Sequence, residues 1–74
     1  MKKNDKGEEI LTDAEVGAMS PASLANALRD YNRYRRGQGK YKWSEEPEKN
    51  NPSPYSPETI GYLIDTAAKT LEKI

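Results

Sequence analysis

The sequence predicts an all-α domain: a short N-terminal helix and two longer helices forming an αα-hairpin, with a long irregular connection between them. Three observations carry this expectation. The segments "MSPASLANAL" (residues 19–28) and "YSPETIGYLI" (55–64) open alike. In each, Ser serves as N-cap and Pro as the first helical residue, where its missing N–H costs nothing. Apolar residues then recur at helical spacing in both segments, and Gly37 follows the first of them as a natural left-handed stop.

Taken in order, residues 1–11 are polar and charged and are expected to be flexible, leaving 12–74 as one small helical domain. Thr12 and Glu15 fit the T-x-x-E capping box, which predicts a short helix over 13–18 whose length Gly17 limits. Met19 with Leu24, and Tyr55 with Ile60, occupy the N′ and N4 positions of a hydrophobic staple at the two longer helix starts. The likeness of these starts reflects shared capping chemistry as readily as duplication.

The first long helix is expected over 21–36. Leu24, Ala27, Leu28, Tyr31 and Tyr34 share one side, while Arg29, Arg33 and Arg36 fall opposite at i, i+4, i+7. The second is expected over 57–73. There Ile60, Ile64, Ala67, Leu71 and Ile74 repeat at 4-3-4-3 with Leu63 beside them, a narrow seam suited to a neighbouring helix. Asp65 and Lys69 make a favourable i, i+4 pair.

The connection over 37–56 is rich in Gly, Pro, Asn and charge, and connections this long in so small a domain are usually functional or disordered. Tyr41 and Trp43 alternate with Lys40 and Lys42, as in a short extended segment docking its rings onto the helices. "NNPSPYSP" then delivers the chain in extended form to the second N-cap.

Composition narrows the function. Seventy-four residues make one domain with a thin core. Self-association through the 60–74 seam, as a dimer or higher oligomer, follows as an expectation. Cysteine and histidine are absent, which removes disulfides, the usual zinc and copper ligands and the commonest general base. Ser20 and Ser56 read as caps rather than nucleophiles, and Glu45, Glu46 and Glu48 as a solvated loop patch. No enzyme, cofactor or metal site is expected. No apolar run is long enough to span a membrane and the N-terminus lacks a secretory segment, so a cytoplasmic location without membrane contact is expected.

Net charge is zero but unevenly spread: residues 29–43 carry six basic residues against one acid, with acidic segments on either side. Arg29, Arg33, Arg36, Lys40 and Lys42 are suited to phosphates, and Tyr41 and Trp43, with Tyr34, to stacking on unpaired bases. Arg, Tyr and Trp are equally the residues of protein interface hot spots. A third reading needs no ligand: arginines at a helix C-terminus complement the macrodipole, and Asp30 can pair with Arg33. A helix-turn-helix over 13–36 is disfavoured, because the arginines trail where base contacts arise at the leading end.

The run "LANALRDYNRYRRG", followed after a Pro-rich gap by "PETIGYLIDTAAKTLE", resembles small uncharacterised proteins of tailed bacteriophages and prophages. Their pattern, A-L-R-x-Y-N-x-aromatic-R-R-G then P-x-x-I-G-x-x-I-D-x-A, falls here on Ala27–Gly37 and Pro57–Ala67. The chain departs from it in the insert over 38–56 and in Tyr34, where the pattern has Trp. The resemblance implies no particular activity. It does imply an accessory protein of the infected host cell that binds a host or anti-phage defence protein stoichiometrically, with nucleic acid or a nucleotide as the alternative partner. In that setting Gly61 is expected to permit close approach to Asn32 or Tyr31, and Asp65 to meet Arg29 or Arg35 across the hairpin.

Overall fold

The computed structural model describes residues 2–46 and 50–74. It contains a two-stranded antiparallel hairpin, β1 (Lys2–Lys3) and β2 (Glu9–Ile10), and three helices, α1 (Asp13–Gly17), α2 (Pro21–Arg36) and α3 (Pro57–Glu72). A 3-10 turn, Gly39–Tyr41, interrupts the connection from α2 to α3. The domain is therefore mostly helical, but the small sheet corrects the all-α expectation.

The helix starts follow from cap chemistry. Thr12 accepts from the Glu15 amide while the Glu15 carboxylate accepts from the Thr12 amide, closing the capping box. Ser20 and Ser56 accept from the amides of Ser23 and Thr59, and each is followed by Pro. At the end of α2, Gly37 takes φ 65°. The Gly37 amide donates to Tyr34 and the Gln38 amide to Arg33, which satisfies two carbonyls that the helix end would orphan.

The hairpin over 2–10, where a flexible segment was expected, is built around Asn4. Its side-chain oxygen accepts from the amides of Lys6 and Glu8, and Gly7 supplies the left-handed residue at φ 81°. The extended Pro-rich segment then adds to the β2 edge: the Glu9 amide donates to Pro54 and the Ser56 amide to Glu9. Pro54 is tolerated there because the pairing uses only its carbonyl, the amide being supplied by Ser56.

Val16, Leu24, Ala27 and Leu63 form the buried core, with Leu11, Met19, Leu28, Tyr55 and Tyr62 packed around it. Helix α3 packs on both α1 and α2. It runs antiparallel to α2, since Tyr31 and Tyr34 share a cleft with Pro57 and Ile60 while Leu24 and Ala27 join Leu63 in the core. Thr59 is also fully buried, and its hydroxyl accepts from the Leu11 amide at 2.9 Å, fastening the hairpin to α3.

Two packing expectations are corrected. A Cβ added at Gly61 would meet nothing within 4 Å, so this glycine mediates no close approach to α2. Its surroundings are open because α3 turns Thr59, Leu63 and Tyr62 inward rather than residue 61. For the same reason Asp65 is exposed, and among the described residues no ion pair joins it to Arg29, Arg35 or Lys69.

Candidate binding surface

The basic stretch divides into parts with different employment. Arg29, Arg33 and Arg36, with Arg35, project from the exposed face of the second half of α2. Arg33 lies 3.9 Å from Asp30 and Arg29 contacts Asn26 at 3.5 Å, both weak surface contacts. Arg36 stands in the last turn beside the helix C-terminus, where partial negative charge holds a cation favourably.

Beyond Gly37 the chain reverses through Gly39, at φ 60°, into the 3-10 turn. This reversal returns Tyr41 to the α2 surface, where it is buried. Its ring meets Tyr34 edge-on at 5.6 Å, and its hydroxyl donates to the Asp30 carboxylate at 3.0 Å. Burial first, and then the bond to Asp30, push the Tyr41 phenol up to about 12. Lys40 covers the outer face of the ring at 5.1 Å. Asn51 donates to the Lys40 carbonyl at 2.6 Å, tying the two halves of the connection together.

Tyr41 and Trp43 thus part company, although the sequence places them as a pair. They lie on a tight turn and its exit, not on one extended segment, and only Tyr41 docks. Trp43 remains 70% exposed. Its indole rests over Gly37, so closely that a Cβ there would come within 2.9 Å of the ring. Gly37 is consequently required twice, for its left-handed backbone and for the space beneath Trp43. Lys42 beside it is exposed. The residues available to a partner are therefore Arg29, Arg33, Arg36, Lys40, Lys42 and Trp43, whereas Tyr41 serves the fold.

Among the described residues no group of His, Cys, Asp or Glu is placed to hold a metal, and no helix is long and apolar enough to cross a membrane. Glu45 and Glu46 are exposed, and Glu48 lies outside the described residues. A cleft of about 280 Å³ lies between the hairpin, α2 and the Pro-rich segment. Its walls include Lys3, Glu9, Asp30, Lys40, Tyr41 and Tyr55, a mixed-charge set in which Asp30 is already bonded to Tyr41. Sequence reasoning missed it because it depends on the hairpin. The seam residues Ile64, Leu71 and Ile74 are exposed, while Ile60 and Ala67 are half-buried.

The site defines a small helical protein with an exposed basic and aromatic face. No family model, curated protein or solved structure matches the chain.

Proposed function

We propose that the protein is a non-enzymatic accessory protein of the tailed-phage kind, acting in the infected cell by stoichiometric binding to a host or anti-phage defence protein. The reading is supported above all by Trp43, a large ring held out in solvent by a turn whose neighbouring residue is anchored. Exposing an indole next to a fixed backbone loses hydrophobic stabilisation and gains a ready anchor for a partner. The arginines and lysines around it favour an acidic partner surface and steer its approach.

Affinity capture from bacterial host lysate, with and without nuclease, tests this. The expected result is one protein retained by the wild type after nuclease treatment and lost with Trp43→Ala and with Arg33→Glu/Arg36→Glu. Nucleic acid is the other occupant of the same face. Steeply salt-dependent binding of fluorescent oligonucleotides, together with loss of all captured protein on nuclease treatment, would replace the first reading with it.

A further inference from the structure

Helix α3 has two unlike sides. Thr59 and Leu63 are buried against the domain, while Ile64 is 53%, Leu71 68% and Ile74 95% exposed. The exposed aliphatics crowd toward the C-terminal end. Beside the N-terminal end of the same helix lies a cleft of about 310 Å³, walled mainly by the rings of Tyr31, Tyr34 and Tyr55 with Pro57 and Ile60, and edged by Glu8 and Ser53. An unfilled receptor and an uncovered anchor thus sit on one helix.

We propose that two copies of this chain pair antiparallel through α3, each seating Leu71 and Ile74 in the other's cleft. The register follows from the seam. Ile60 and Leu71 are eleven residues apart, about three turns and roughly 16 Å, so they share a face. Setting Ile60 opposite Leu71 of the second copy places Ile64 opposite Ala67 and brings Ile74, two residues past the end of α3, toward Pro57, and the two-fold axis repeats every layer. The antiparallel arrangement also aligns the two helix dipoles favourably. Gly61 and Ala68 flank the seam on its solvent side, and the space around Gly61 is open, so nothing in the domain blocks the approach. A parallel pair would stack Leu71 on Leu71 and leave both clefts empty.

The size of the exposed surface points to a second copy. The folded chain exposes 5590 Å², against roughly 4,600 Å² for a compact monomer of its mass. Its radius of gyration is 13.2 Å with extents of 44 × 23 × 15 Å, where a compact chain of this length would give about 11 Å. The excess area, on the order of 1,000 Å², is close to the roughly 800 Å² that each partner contributes to a standard interface. This inference is independent of the arginine and Trp43 face, which the dimer leaves free.

Sedimentation velocity on the full chain at tens of micromolar is expected to give twice the 8.4 kDa chain mass. Leu71→Asp, at an exposed position, is expected to give a monomer with an unchanged helical circular dichroism spectrum. The protein has no cysteine, so orientation can be read by mixing Ile60→Cys chains with Leu71→Cys chains under mild oxidation. The mixed disulfide is expected to predominate. A monomeric wild type, which would leave the face to a different protein, overturns the proposal. So does a larger assembly, a dimer that survives Leu71→Asp, or a predominance of Leu71→Cys homodisulfides.

Discussion

Replacing Thr59 by Val tests whether a polar contact, rather than apolar packing, joins the hairpin to the helices. Thr59 is fully buried. Its oxygen accepts from the Leu11 amide at 2.9 Å, lies 2.9 Å from the Ser56 hydroxyl and 3.4 Å from the Leu11 carbonyl. Valine keeps the shape, so no cavity opens, but it leaves the Leu11 amide facing a methyl group. A buried donor without an acceptor costs about 1–3 kcal/mol. Leu11 is only half-buried, which favours the lower half of that range, about 1–2 kcal/mol. For a domain of this size the loss corresponds to a fall in Tm of roughly 4–16 °C, taking about 4–8 °C per kcal/mol. Thermal and urea unfolding followed by circular dichroism measure the cost, and amide exchange at Leu11 locates it. Thr59→Ser keeps the hydroxyl and loses a methyl. It is expected to lower stability by about 1 kcal/mol while leaving Leu11 protected. If Thr59→Val is as stable as the wild type, or if Leu11 exchange is unchanged in it, the hydroxyl does not fasten the hairpin.

Gly61 lies in a helix interior with open space around it, so Gly61→Ala is expected to stabilise the single chain by about 0.5–1 kcal/mol. Measuring it in the Leu71→Asp background separates this from any effect on pairing, and a loss of stability there would show an unrecognised contact. Gly37→Ala meets both the left-handed φ of 65° and the indole 2.9 Å away. It is expected to cost about 1–2 kcal/mol and to shift the emission of Trp43, the sole tryptophan; unchanged emission would show that the indole does not lie over Gly37. Tyr41 titrates near its ordinary value when unfolded and at about 12 when folded. The stability contributed by its neutral form is therefore complete below pH 10 and is lost as pH rises from 10 through 12. Tyr55 is shifted the same way by burial, with Glu9 adding to it. Urea midpoints should fall over this interval and fall less in Tyr41→Phe; a flat wild-type profile would contradict the burial and the Asp30 bond.

The parts of the fold legible in the sequence are those governed by neighbours a few residues apart. Ser20-Pro21, Ser56-Pro57, the Thr12–Glu15 box and the Gly37 stop each complete their hydrogen bonds within five residues, so their residue types alone announce them. The hairpin carried a local signal as well, in Asn4 and Gly7. No apolar alternation accompanied it, because strands of two residues are too short to show a period. What fixes the hairpin is its pairing with residues 54–56 and with Thr59, separations above forty residues, for which the sequence holds no marker.

The two aromatic residues of the connection show how the same limit reaches the candidate site. Alternation made Tyr41 and Trp43 equivalent on paper. The chain distinguishes them by phase: the reversal at Gly37 and Gly39 brings position 41 back over Tyr34 and Asp30, and two residues later the segment has already turned away. The hydroxyl decides which ring suits the inner place, since Asp30 offers an acceptor that a phenol reaches at 3.0 Å. Anchoring Tyr41 holds the turn, and the held turn presents Trp43. A substitution at Asp30 should therefore act on Trp43 without touching it. Asp30→Asn keeps an acceptor and should leave Trp43 in place, whereas Asp30→Leu should release the turn, raise Trp43 mobility and weaken partner capture. If both variants behave like the wild type in fluorescence anisotropy and in capture, the presentation of Trp43 does not depend on Tyr41.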